Sequence, residues 1–465
     1  MSSSGTAVVI GASMGGLLAA RALHETYAKV VILDRDALPD SAVARRGVPQ
    51  GRQLHVLLSR GREALEELFP GLTDELRRAG APQVDLHGEV NWHNDGYLMR
   101  RAPSSLLALG LSRPLLEHAV RTRVAALPGV EFRPRTEVVG LVTSSDRRRV
   151  IGVRTSAATV EADLVVDAGG RACRTPVWLG ELGYERPAEE RVRVGVTYVT
   201  RTYRRHPGLL GNLAGAITNA VPGSPRAGIV AAMEGDRFAI ALSGMLGEEP
   251  PTDDAGMADF AGALPLPELA EIMRTAEPAS DAVTMRFPTS VRRRYERLRR
   301  FPDGHLVVAD GLCGFNPIYG QGITVAALEA LLLRRLTTAG THDLARRFFR
   351  GASRIIDAPW SIAVGTDLRF AEVEGRRGPK VRFVNAYVHR LHLGATADPV
   401  LGAAFLRVLN LVDPPTRLLA PGIALRVLRG MFRRPVPTAP AAAAPVTSRA
   451  GSGDPAPATA LPDAD

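Results

Sequence analysis

Lysine is nearly missing from this chain. Lys29 and Lys380 are the only two, leaving 56 of the 58 basic residues as arginine. Aromatic residues make up 5%, and the short arginine clusters (Arg147, Arg148 and Arg149; Arg292, Arg293 and Arg294) are scattered. A nucleic-acid binder gathers its basic residues on one face, with aromatics between them for stacking, so that class is disfavoured. The formal net charge of +10 suits a general attraction for anionic cofactors or carrier-linked substrates instead. Cysteine is scarce too. Cys173 and Cys313 cannot make a disulfide framework, and no metal-ligand spacing occurs. No run of about 18 apolar residues exists, so neither a spanning helix nor stable membrane insertion is expected. Residues 1–6 are small and polar, without the charged and apolar regions of a secretory signal, which makes the cytoplasm the expected compartment.

What is present is a chain of 465 residues, 45% hydrophobic and 23% charged, an ordinary balance for a globular protein. Single cores cease to grow beyond about 250–300 residues, so two connected domains and a tail are expected. Residues 7–10 read as a buried strand, 11–16 as a glycine-rich turn, 17–27 as a helix and 29–34 as a second buried strand. This is the opening of a doubly wound α/β domain. A helix is expected over 53–68, with Leu54, Leu57, Leu58, Leu65 and Leu68 as its apolar positions. Another is expected over 113–127, capped by Ser112 and accommodating Pro114 in its first turn. Runs at 130–132, 137–143 and 150–155 suggest a three-stranded meander before a buried strand at 162–167. Residues 192–202 and 237–243 alternate like strands with one exposed face. A buried strand returns at 305–310, followed by a helix over 322–336. The pattern predicts a split cofactor domain (1–190 and 300–370) and an inserted substrate domain (190–300). A helical region (370–434) and a disordered Pro/Ala-rich tail (435–465) would follow.

Two motifs carry chemistry. In the first turn, Gly11, Ser13 and Gly16, with Met14 and Gly15 between them, take the places of a dinucleotide fingerprint. That fingerprint needs a tight turn, a small residue against the pyrophosphate and a glycine for helix–strand packing. Ser13 stands where the second glycine is usual. The helix N-terminus behind the turn would face the pyrophosphate with free N–H groups. Asp34 ends the second strand, where an acid can accept hydrogen bonds from a ribose. The second motif spans 305–322. Its strand ends in Asp310, a carboxylate placed to grip a polyol. A loop with Pro317, Gly320, Gln321 and Gly322 then opens a long apolar helix whose N-terminus can hold negative charge.

With Gly-Ala-Ser-Met-Gly-Gly (11–16), Leu-Asp-Arg-Asp (33–36), the glycine-containing segment 165–174 and the segment 307–322, the chain resembles the FAD-dependent monooxygenases related to para-hydroxybenzoate hydroxylase. Segment 46–55 and Asn316-Pro-Ile-Tyr-Gly are most similar to bacterial polyether epoxidases of the lasalocid and monensin type. The resemblance covers roughly 5–370. It implies an α/β fold with a Rossmann-like FAD-binding domain of glutathione-reductase type, an inserted β-sheet substrate domain and C-terminal helices. It further implies FAD, NAD(P)H as reductant, O2, and a flavin C4a-hydroperoxide that epoxidises or hydroxylates a polyketide- or terpenoid-like substrate. That substrate would be a small apolar molecule, free or carrier-linked.

Carried residue by residue, the resemblance places Gly11, Ser13 and Gly16 on the pyrophosphate and Asp34, followed by Arg35, on the adenosine ribose. Arg113 matches the arginine of an S-R-x-x-L helix near the ribityl and phosphate groups. Asp310 matches the ribityl aspartate, although Ala309 precedes it where glycine is usual. Pro317 and residues 320–322 match the loop beside the isoalloxazine and are the nearest guides to an otherwise unassigned catalytic centre. Arg46 is the flavin-loop arginine, with Arg45 and Arg52 as competitors, and Val138 meets the adenine through its backbone.

Several features depart from that pattern. Gly169 and Gly170 stand where many aromatic hydroxylases carry an aspartate-glycine pair, and Cys173 stands where serine is common. No second fingerprint for a nicotinamide domain is present. Trp92, Trp178 and Trp360 are isolated, so the W-x-W-x-I-P motif of flavin halogenases is absent. His55, Cys173 and Cys313 read more economically as structural groups than as reactive ones, while for Tyr319 facing the pocket and packing weigh equally. The apolar and basic run 418–434 reads as packing onto the cofactor domain rather than as a membrane contact. Two other functions fit the same motifs: a flavin-dependent double-bond reductase of geranylgeranyl-reductase type, and a non-catalytic FAD-containing scaffold.

Overall fold

Short runs of β-branched residues make the first layer. Thr6–Ile10, Lys29–Leu33, Val130–Arg133, Leu164–Asp167 and His305–Val307 form one parallel sheet. The strand from Thr6 lies at its centre, between those from Leu164 and Lys29. The computed structural model describes residues 5–206 and 208–430; the tail expected at 435–465 lies outside the described residues. The strands are apolar on both faces, as a covered parallel sheet requires. On one face Ala7, Val9 and Ile32 pack with Leu17 and Leu18 of the helix Met14–Leu23. On the other, Val8, Val31 and Val165 meet Val138, Val150 and Val153 of a three-stranded antiparallel meander.

That meander is Val138–Thr143, Val150–Thr155 and Thr159–Glu161. The run at 130–132, expected within it, instead pairs in parallel with Lys29–Leu33 at the sheet edge. The helix expected from 53 begins only at Ser59. Before it, Pro49–Arg52 makes a 3-10 turn and Val56–Leu57 pairs with Leu107–Gly110. The Gln53 carboxamide accepts a 2.6 Å hydrogen bond from the Thr200 hydroxyl, and the Leu54 N–H reaches the same hydroxyl. These bonds hold the segment extended although its leucines repeat with helical spacing.

A second, eight-stranded sheet runs in the order Cys313–Gly314, Val283–Arg293, Glu189–Arg204, Arg237–Gly244, Arg226–Met233, Gly215–Thr218, Val90–Asn94 and Tyr97–Leu98. Three of these strands come from outside 190–300. Val90–Asn94 pairs in parallel with Gly215–Thr218. One face packs on helices Asp254–Gly262 and Pro267–Thr275 through Phe238, Ile240, Met257, Phe260 and Leu269. The other face turns toward the helices Leu344–Asp367, Pro379–Ala395, Pro399–Leu409 and Pro421–Gly430, which close over Trp92 and Ile217.

The first turn is set by backbone approach. Gly11 has φ +101°, and a Cβ on Gly16 would lie 1.7 Å from the Gly11 carbonyl oxygen. Gly16 therefore lets the helix Met14–Leu23 start directly beneath the strand. We predict that Gly16→Ala lowers stability by about 3 kcal/mol or more, since the blocking atom is backbone and not a movable side chain. Urea unfolding checks this, and a variant within about 0.5 kcal/mol of the parent would disprove it.

Candidate cofactor and substrate cavity

Between the two sheets and the C-terminal helices lies one cavity of about 1360 Å³. Sites for a single small molecule span about 300–1,000 Å³, so there is room for a dinucleotide and a second molecule together. At one end it is lined by Gly11, Ser13, Met14, Gly15, Asp34 and Arg35, with Val138 of the meander and Arg113 beside them. Asp310, Pro317, Gly320 and Gly322 line its middle. The far end is apolar, formed by Trp92, Ile217, Ile229, Tyr387, Phe405 and Leu418. Three residues expected at the cofactor do not line the cavity. Gly16 backs onto the Gly11 carbonyl. Gln321 is buried and donates to the Leu409 carbonyl at 2.8 Å, tying the loop to the C-terminal helices. Arg46 is exposed and points elsewhere, as does Arg52; the cavity arginine of this segment is Arg45.

The polar end is built around a buried charge network that the motifs alone did not reveal. Glu117 accepts from Arg45 Nε at 2.9 Å and from the Ser13 hydroxyl at 2.8 Å, with Arg113 Nε at 3.3 Å. Ser13 in turn accepts from Arg113 Nη2 at 2.8 Å. The serine at the second glycine place thus links the fingerprint turn to the helix Arg113–Ala125, capped as expected by Ser112 Oγ. Burial works against the Glu117 charge, but Arg113 and Arg45 prevail and hold its carboxyl below the usual range. Its spacing of four from Arg113 on one helix face was the available signal. Asp34 accepts from the Ala12 N–H at 2.7 Å and the Asp36 N–H at 2.8 Å, and Arg45 bridges it to Asp36. A ribose hydroxyl entering here would meet an oriented carboxylate already flanked by a guanidinium.

In the middle of the cavity, Ala309 has φ +55°, a left-handed conformation that explains why glycine is usual at this place. Its N–H donates to Glu329 Oε2 at 2.7 Å. Burial and the neighbouring Asp310 raise the Glu329 carboxyl to about 8. Burial also raises Asp310, against the pull of Arg113 and Arg171. Tyr319 donates to Asp367 at 3.0 Å, and burial pushes that carboxyl up to about 6.

His55 lies not on a helix but in the extended segment, its Nδ1 2.9 Å from the Gln53 carbonyl. Burial and Arg113 lower it to about 4, so it is neutral and a weak base. Cys173 and Cys313 are both buried and unbridged, and burial raises both thiols, Cys173 with the added effect of Asp167. At the apolar end the buried Asp95 accepts from Arg369 and lies 2.8 Å from His392 Nδ1, joining the turn after Val90–Asn94 to the C-terminal helices. Among the described residues no His/Cys/Asp/Glu group could hold a metal ion.

Solved structures identify the class of fold. A flavoprotein/dehydrogenase from Cytophaga hutchinsonii superposes with TM-score 0.63 at 15% identity, over 92% of this chain and 99% of its own. The flavin-dependent brominase Bmp2 superposes with TM-score 0.62 at 16% identity, over 91% and 97%. The 2-methyl-3-hydroxypyridine-5-carboxylic acid oxygenase superposes with TM-score 0.53 at 17% identity, over 78% and 89%. The architecture is the mixed α/β fold of the FAD-binding monooxygenases. No family model matches the chain. It belongs to the same family as Protein Rv3254 of Mycobacterium tuberculosis, with 33% identity over 436 residues, which cover 88% of this chain and 90% of that protein.

Two predictions follow from the network and from Glu329. Arg45→Ala leaves Asp34, Asp36 and Glu117 short of their shared cation and should cost about 3–5 kcal/mol, whereas Arg46→Ala should stay within about 0.5 kcal/mol. Chemical denaturation compares them; equal losses would sink the assignment. Glu329 has its carboxyl raised in the folded state above the ordinary 4.5, so its contribution is complete below pH 4.5 and is lost as pH rises through about 8. Glu329→Gln should therefore gain melting temperature relative to the parent between pH 5 and 8. Parallel melting curves across that window would contradict it.

Proposed function

We propose that the chain binds FAD along this cavity and is a monooxygenase that inserts one oxygen atom of O2 into an apolar substrate. The observation that carries the reading is the continuity of one cavity from the fingerprint turn and Asp34, past Asp310 and the loop from Pro317, into a chamber of apolar side chains. Bound FAD would supply the redox chemistry and the activation of O2, with NAD(P)H as the reductant. The division of the chain goes with it: 1–190 and 300–370 hold the cofactor, 190–300 contributes most of the substrate sheet, and the helices after 370 close the chamber.

The chain's own residues bind and orient. The N–H groups that open the helix Met14–Leu23 face the pyrophosphate, with Arg113 behind them. Asp34 takes the adenosine ribose, Val138 borders the adenine, and Asp310 takes the ribityl chain. Pro317, Gly320 and Gly322 would border the flavin ring. Trp92, Ile217 and Phe405 would exclude water from the reacting face.

We read the reaction as epoxidation rather than ring hydroxylation. Thr200 is bound to Gln53, Tyr198 to the Met285 sulfur, and Asp95 to Arg369 and His392. His55 is a weak base. A phenol would need a base to activate its ring, whereas an alkene needs none. A polyketide- or terpenoid-like alkene, free or presented on a carrier, fits such a chamber.

Asp310→Ala should empty the purified protein of FAD, read as the loss of flavin absorbance; a fully yellow variant would overturn the ribityl assignment. Substrate-dependent O2 uptake by the parent separates a monooxygenase from a double-bond reductase. A purified protein that never oxidises NAD(P)H with any plausible substrate favours the scaffold reading.

A further inference from the structure

Among the described residues, nine large hydrophobic side chains are exposed, and six lie on the C-terminal helices: Phe383, Val384, Val400, Leu419, Leu425 and Leu428. The same stretch holds most of the charge. Residues 376–430 carry nine Lys and Arg against two Asp, a net of +7 out of the chain's +10. Both acids are engaged, Asp398 by Arg426 and Asp413 by Arg407, each at 2.7 Å.

The two properties meet along one exposed stretch of the cavity lining. Arg376 and Lys380 are exposed and line it, as do Phe383, Val384 and Leu419. Phe383 stacks near Tyr387, whose hydroxyl donates to the Leu418 carbonyl at 2.6 Å and so ties the helix Pro379–Ala395 to the segment before Pro421–Gly430. That last helix, expected to pack onto the cofactor domain, packs instead on its neighbouring C-terminal helices, with Ile423 and Val427 turned inward toward Leu391, Ala395 and Leu401. Leu425 and Leu428 turn outward, each followed by an arginine, Arg426 and Arg429.

We propose that this face docks on an anionic lipid bilayer, with this stretch of the cavity lining at the headgroup region. Protruding leucine and phenylalanine side chains interleaved with arginine are what a helix needs to lie in the interface plane, apolar tips in the acyl boundary and cations among the phosphates. The projecting Phe383, Leu425 and Leu428 are the tips that an acyl boundary takes up, beside cations that meet its phosphates. No described helix is long and apolar enough to cross a membrane, so the attachment is peripheral and reversible. Docking itself is independent of the reaction. The further step, that an apolar substrate passes from the bilayer into the chamber without crossing water, rests on the monooxygenase reading.

The test is sedimentation of the full chain with vesicles of phosphatidylcholine and phosphatidylglycerol in about a 3:1 ratio, against phosphatidylcholine alone. Bound protein is quantified whatever its flavin content, so failure here is distinct from failure of the proposed activity. Binding should require the anionic lipid and weaken as salt rises from about 0.05 to about 0.5 M. The double variant Lys380→Glu with Arg429→Glu should reduce partitioning about tenfold or more. Phe383→Asp with Leu428→Asp should do the same while leaving far-ultraviolet circular dichroism unchanged, since both side chains are exposed. Absence of binding to anionic vesicles overturns the proposal. Equal binding by the variants does too, as does capture by an acidic acyl carrier protein without vesicle binding.

Discussion

A single buried carboxylate holds the polar end of the cavity together. Glu117 sits between Arg45 and Arg113 and takes the Ser13 hydroxyl, so three stretches of chain that are far apart in sequence converge on one pair of oxygens. Removing a charge from so buried a network leaves its partners desolvated and unpaired, which is far more costly than the network's net contribution to stability. The arrangement fixes where the fingerprint turn stands relative to the helix from Arg113, and so where backbone N–H groups and a guanidinium can meet a pyrophosphate together. Asp34, bound by the Ala12 and Asp36 N–H groups, extends the same rigid frame to the end of the second strand.

From that frame the cavity changes character over its length. One end is charged and preorganised, and the other is enclosed by apolar side chains from a sheet floor and a helical roof. The loop from Pro317 lies between them, held on one side by Gln321 to the Leu409 carbonyl and on the other by Tyr319 to Asp367. The middle of the cavity is thus anchored to the C-terminal helices, which couples the shape of the apolar chamber to the position of the loop.

Much of this was readable in the residues. The fingerprint turn, the strand ending at Asp34, the Ser112 cap and the glycine loop after Asp310 are local signals, each made by a few adjacent residues. What escaped depends on pairing across the chain. Residues 53–58 have helical leucine spacing, yet Thr200, far away in sequence, captures Gln53 and the Leu54 N–H and holds them extended. The run at 130–132 has the same composition as a meander strand, and only its partner decides that it joins the parallel sheet. The long helix Leu344–Asp367 was hidden by Pro359 within it, and Val90–Asn94 gave no sign that it would pair in parallel with Gly215–Thr218. Arg45 and Arg46 are neighbours of identical type, so only the direction of the chain at that point separates the buried network member from the exposed residue.

The order of strands in the parallel sheet bears on how the protein is made. Its central strand, Thr6–Ile10, leaves the ribosome first, but one of its flanks is supplied by Leu164–Asp167, and the strand beyond that arrives only with His305–Val307. Pairings between such distant segments incur the entropy of closing long loops before they yield any contact, and they form slowly. Until those strands arrive, the backbone of the first strand presents an open apolar edge, the kind of surface that recruits other chains during synthesis. The polar end of the cavity is therefore begun by the first of these strands and completed only when the last arrives, with that edge to be kept covered in the interval.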